Sequence, residues 1–233
     1  IDDITPSAYE EANAMSGTYK DVGNLAGQMG IGIGFNMPIL GSVKAQYVPK
    51  ADGVKNADNN ASGDTNALVG SGAEVAIKTS LGDLPVVGSY LGNLTLTTGF
   101  AEQETATVTN TTDRTEVTAA LTGSFGNFSF GYQKDFVDEG QTTAAADADF
   151  YKIEQIGLAY AINDALSISY NTMEQSQHNI DADSSFEQDT NAINIGYTVG
   201  GMTIGFQDAS TDNANMVKDA KDDVRSISVS VAF

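Results

Sequence analysis

The stretch Asp223–Phe233 reads Asp-Val-Arg-Ser-Ile-Ser-Val-Ser-Val-Ala-Phe. From Ile227 onward every second residue is large and apolar: Ile227, Val229, Val231 and Phe233. Between them stand Ser226, Ser228, Ser230 and Ala232. A period of two describes a strand with one greasy face and one small, polar face. One such strand fits the edge of a soluble sandwich as well as the wall of a membrane barrel, so the other strands must decide.

The alternation begins near Gln28 and continues to the end. Met29, Ile31, Ile33 and Phe35 alternate with glycines, and Val43, Ala45 and Tyr47 alternate with Lys44 and Gln46. Further segments centre on Ala73–Ile77, Leu94–Phe100, Val117–Leu121, Phe128–Tyr132, Ile156–Ile162, Leu166–Tyr170, Ile193–Val199 and Met202–Phe206. With the closing stretch they predict about eleven strands. Short turns at Asn36–Gly41, Gly126–Asn127, Asn163–Asp164 and Gly200–Gly201 carry the residues that tight hairpins demand. They alternate with longer polar stretches: 51–65, 102–114, 135–149, 172–189 and 208–222. Short turns on one rim and long loops on the other predict an all-β, antiparallel up-and-down transmembrane β-barrel. A Greek-key sandwich gives no such rhythm.

The chemistry of the two faces supports the same fold. The non-apolar face is rich in Gly, Ser, Thr, Ala and Asn, and the charges are expected in the loops. A soluble barrel would bury its large side chains and wet its charges. Aromatics sit near strand ends, among them Phe35, Tyr47, Phe100, Phe128, Tyr160, Tyr170 and Tyr197, as in interfacial girdles.

Composition narrows the function. The 233 residues carry 31 Asp+Glu against 11 Lys+Arg, a formal charge of −20. That argues against a nucleic-acid partner, whose phosphates require a basic surface. The absence of cysteine excludes disulfides and thiolate metal sites. No run of about eighteen apolar residues exists, so no transmembrane helix is expected, which does not exclude strands that cross a membrane. The single histidine, His178, has Ser176, Asn179 and Asp181 nearby in a stretch read as loop. No carboxylate-oriented base and nucleophile stand out around it, and no enzyme is expected.

Asp58-x-Asn60-x-Ser62-Gly63-Asp64 matches the opening of a calcium loop. The twelfth position is Val69 rather than Glu, and no helices flank it, so it is a weak metal candidate. The acidic outer stretches, with Asp181, Asp183, Asp219, Asp222 and Asp223, are expected to hold Ca²⁺ loosely at most, and no cofactor is expected otherwise.

The strand rhythm, the face chemistry and the terminal Phe233 together resemble a Gram-negative general (diffusion) porin of the alphaproteobacterial type. The resemblance covers nearly the whole chain and rests on pattern rather than on a short motif. It implies a homotrimer of barrels of about sixteen strands in the bacterial outer membrane, in contact with lipid and lipopolysaccharide, passing small hydrophilic solutes and ions. Counting back from Phe233, it implies that this is the C-terminal portion of such a barrel, short of about five strands. Residues 1–26 would be the end of the constriction loop and 27–233 the barrel wall. Asp2, Asp3, Glu10 and Glu11 would then line the constriction. By strand parity Lys44, Gln46, Glu74, Lys78, Glu116 and Gln133 would line the pore. A complete twelve-stranded barrel, with one strand hidden in 1–26, is the other count. The other functional readings are a non-conducting barrel acting as adhesin or phage receptor through its acidic loops, and a soluble all-β binding protein.

Overall fold

The computed structural model describes residues 22, 25, 29–49, 69–86, 88–105, 113–140, 150–179 and 184–231. They form one antiparallel sheet in which each strand pairs with its sequence neighbours, in the order β1 to β11. The strands are β1 (Ile31–Met37), β2 (Gly41–Val48), β3 (Val69–Ser80), β4 (Leu94–Thr105), β5 (Arg114–Phe125), β6 (Phe128–Asp138), β7 (Phe150–Asn163), β8 (Leu166–Asn179), β9 (Ser184–Val199), β10 (Met202–Asp212) and β11 (Lys221–Val231). β1 and β11 are the two edges.

The tight turns explain the register. Gly126 (φ 59°) and the pair Gly200 and Gly201 (φ 56° and 83°) supply the left-handed backbone that two-residue hairpins require. At the β7–β8 hairpin the Asn163 side-chain oxygen accepts from the amides of Ala165 and Leu166, at 2.9 and 3.0 Å. The longest connection on this rim, between β3 and β4, carries a 3-10 turn at Leu81–Asp83 and a helical turn at Gly88–Leu91.

Pairing fixes which side chains share a face. One face carries Ile33, Phe35, Val75, Leu96, Phe100, Val117, Leu158, Ile168, Ile195 and Val229, and this face is exposed: Leu158 keeps 39% of its surface and Val229 61%. The opposite face carries Thr97, Glu116, Gln133, Asn171, Gln175, Gln188 and Thr211, and these are buried, Gln188 and Thr211 completely. The usual sidedness of a sheet, with hydrocarbon inside and polar groups in water, is reversed.

Three expectations need correction. Residues 172–189 are not a long loop, because β8 runs to Asn179 and β9 starts at Ser184. β4, β6 and β10 likewise run on into stretches read as loop, to Thr105, Asp138 and Asp212. These extensions carry polar residues on both faces, so hydrophobic alternation stops where the backbone ladder does not. His178 accordingly lies on a strand, stacked on Phe150 with ring centroids 4.7 Å apart and 3.2 Å from the Ser176 hydroxyl. Nor do charges gather only in loops, because many stand in rows on these extensions. Asp2, Asp3, Glu10, Glu11, Asp58, Asn60, Ser62, Asp64, Asp181, Asp183 and Phe233 lie outside the described residues.

Candidate functional site

Register places all six strand residues predicted by parity on the polar face. Gln46 pairs with Glu74, and Ser42 of the same face pairs with Lys78, while Lys44 stands two residues from Gln46. Glu116 and Gln133 lie on neighbouring β5 and β6, where Glu116 pairs with Val137 and Ala120 with Gln133. Glu116 and Gln133 are buried.

The same face holds residues that sequence reasoning assigned to loops. Arg114 directs Nε to Glu116 Oε1 at 2.6 Å and one terminal nitrogen to Glu139 Oε1 at 3.5 Å. Asp135 accepts from the Gln133 amide at 2.9 Å, and both residues are buried. Continuing the parity of Glu116 back to Arg114, and of Gln133 on to Asp135, was the signal that would have found them.

Charge on this face is lopsided. Lys44, Glu74, Lys78, Arg114, Glu116 and Asp135 stand on β2 to β6, and Asp222, opposite Thr211, on β11. Among the described residues, β7 to β10 present amides and hydroxyls instead: Gln155, Asn171, Gln175, Gln188, Thr190, Asn194, Gln207 and Thr211. The Thr190 and Thr211 hydroxyls meet at 2.6 Å. Near the tight-turn rim the neutral half opens into a cavity of about 400 Å³. Ser167, Ser169, Asn171, Asn194, Gln207 and Ser226 are among its lining residues. The Asn171 amide nitrogen and the Thr97 and Thr118 hydroxyls have no hydrogen-bond partner among the described residues. Such buried groups ordinarily find one in water or solute.

On the opposite face, beyond the apolar side chains, one row of charge crosses β6 to β11. Register runs Lys134, Glu154, Glu174, Asp189, Asp212, Lys221, each directly opposite the next. The lysines close the ends, Lys134 to Glu154 at 3.1 Å and Lys221 to Asp212 at 2.8 Å. The interior acids face like charge. Burial first, then Glu187, Asp189 and Glu154, hold the Glu174 carboxyl above its usual range, with Lys134 opposing. Burial, then Glu187 and Asp212, raise Asp189.

A raised carboxyl binds its proton more tightly folded than unfolded, so its stability contribution is complete below the ordinary carboxylate pKa and is lost as pH rises through the folded value. Glu174→Gln should therefore raise stability at neutral pH, by no more than a few tenths of a kcal/mol once solvent screening of this exposed side chain is counted. The gain should vanish below about pH 4, where both forms are neutral. Thermal unfolding followed by circular dichroism at the two pH values checks this.

No protein-family model matches the chain, and no curated protein matches it. The functional reading therefore rests on the geometry of the two faces.

Proposed function

We propose that the chain forms the wall of a Gram-negative general porin, a water-filled outer-membrane channel for passive diffusion of small hydrophilic solutes and ions. One observation carries the reading: the exposed face of the sheet is hydrocarbon and the buried face is amide, hydroxyl and charge. In water such a sheet would expose apolar surface across all its strands, at a cost of about 25 cal/mol for each Å². In a bilayer the same surface faces acyl chains and the polar face encloses water. Strands β3 to β11 are 11 to 16 residues long, enough for the roughly 9–11 that a crossing needs.

In this reading Lys44, Glu74, Lys78, Arg114, Glu116 and Asp135 give the channel a charged side, and the neutral amides of β7 to β10 give it an opposite one. Ions track the first and neutral polyols the second. The barrel assembles as a homotrimer in contact with lipid and lipopolysaccharide, and no cofactor and no bond-making chemistry are required. Full-length protein reconstituted into planar bilayers should produce uniform, ohmic conductance steps. Vesicle-inserted protein that gives no steps and no solute flux would refute the channel and leave a surface-display role.

A further inference from the structure

The neutral half of the polar face has a floor of two glycines. Gly196 and Gly205 pair directly across β9 and β10, and Ser167 of β8 and Ser228 of β11 flank them in the same row. The next row runs Ser169, Asn194, Gln207 and Ser226. Three strand spacings of about 4.8 Å make the depression roughly 14 Å wide from β8 to β11. It is the cavity of about 400 Å³ at the tight-turn rim, within the roughly 300–1,000 Å³ of small-molecule sites. Among the described residues no ionisable side chain lines it. The glycines keep it open: a Cβ on Gly205 would fall 2.6 Å from Ser228 Oγ, and one on Gly196 3.2 Å from Ser167 Oγ. Asn171 also lines the cavity and keeps only 4% of its surface. Its amide nitrogen has no partner among the described residues. A buried donor in that state ordinarily bonds a water or a solute oxygen.

We propose that this cavity is a saturable binding subsite for a neutral polyol of monosaccharide size. Each hydroxyl of such a solute donates and accepts, as the serine hydroxyls do, and the side-chain amides of Asn and Gln offer a donor and an acceptor side by side to adjacent hydroxyls. Asn194 donates to Ser169 Oγ at 3.4 Å, and Ser226 Oγ donates to Gln207 Oε1 at 3.3 Å. Both bonds are long, and a solute hydroxyl replaces them without loss. No cation stands here to hold a carboxylate or phosphate, and no carboxylate to hold an amine. Strand parity turns the Phe206 ring to the opposite face, so no ring stacks on the solute. Hydrogen bonds alone hold it, in exchange for bonds to water, and the net gain is small. Binding is therefore of the order of millimolar, weak enough for release. As a station in solute passage the subsite rests on the porin reading, whereas the binding itself does not.

Two measurements on the full-length protein test the two halves. In detergent micelles, saturation-transfer NMR with sorbitol as the probe should show transfer that saturates at millimolar concentration. Gluconate, a similar chain ending in a carboxylate, should bind at least about threefold more weakly, because nothing in the cavity compensates its charge. Gly196→Val fills the floor and leaves every polar group in place, and it should raise the half-saturating sorbitol concentration at least about tenfold. Asn171→Leu keeps the volume and removes the amide, and it should raise it about threefold to tenfold. Transfer that grows linearly with sorbitol in the wild type, or that saturates alike in the wild type and both variants, overturns the subsite. In planar bilayers, saturating sorbitol should lower the unit conductance of the wild type more than that of Gly196→Val, in which only the viscosity of the solution acts. Equal lowering in the two overturns the role in passage. A wild-type protein that never conducts overturns that role together with the porin reading, and the NMR titration then decides the binding by itself.

Discussion

Ile195→Arg is expected to destabilise the bilayer-inserted protein by about 2–4 kcal/mol, the cost of placing a guanidinium against acyl chains near the middle of an apolar face. Ile195 stands between Ile168 of β8 and Phe206 of β10 in the hydrogen-bonded register. It already exposes 36% of its surface, so its replacement opens no cavity. In a soluble protein an exposed position of this kind would tolerate the change within about 0.5 kcal/mol. The prediction thus separates lipid from water as the neighbour of this face. Asn194→Arg, one residue away on the opposite face and beside the cavity, is the matched control and should unfold as wild type does. Urea unfolding from lipid vesicles measures both. A cost below about 0.5 kcal/mol for Ile195→Arg would mean that water, not hydrocarbon, wets the apolar face.

The strands were legible because each carries a contrast between its faces. Ile156, Leu158, Tyr160 and Ile162 alternate with Gln155, Gly157, Ala159 and Ala161, and no helix presents that period. Where the contrast disappears, so does the signal. Glu174 and Ser176 face one way and Gln175 and Gln177 the other, all polar, yet their backbones pair as regularly as those below. A strand is made by its hydrogen-bond ladder, and side chains reveal it only when the two faces meet different solvents. The polar-face residues follow the same logic. Lys44, Gln46, Glu74 and Gln133 could be placed because apolar neighbours fixed their parity, whereas Arg114 and Asp135 stood just past the last apolar residue read. Val22 and Leu25 carry no period at all. Leu25 lies against Gly72, a contact between segments far apart in the chain, which no local pattern encodes.

Arg114→Met should destabilise the protein by about 3–5 kcal/mol, because it withdraws a cation from a buried carboxylate. Glu116 keeps 2% of its side-chain surface beside Arg114, and its cross-strand neighbours are Ala101 and Val137, both apolar and buried. A carboxylate bracketed by hydrocarbon must find compensation for the water it has lost. The guanidinium supplies it through a charge-assisted bond of 2.6 Å, and it also reaches Glu139. Two further variants separate loss of the pair from loss of volume. Arg114→Lys keeps the charge on a shorter-reaching head and should recover only part of the stability, because the fork that meets two carboxylates is lost. The double variant Arg114→Met with Glu116→Gln removes the fully buried charge with its cation and should recover most of it, since Glu139, which also loses Arg114, keeps 18% of its side-chain surface in solvent. If the single and double variants unfold at the same urea concentration, the ion pair is incidental to folding. On the proposed channel function the same substitution would remove a positive charge from the channel wall and leave its acids in place, so reversal potentials in a salt gradient should move toward cation preference. The stability change and the selectivity change come from one atom pair, and only the second requires that the polar face be filled with water.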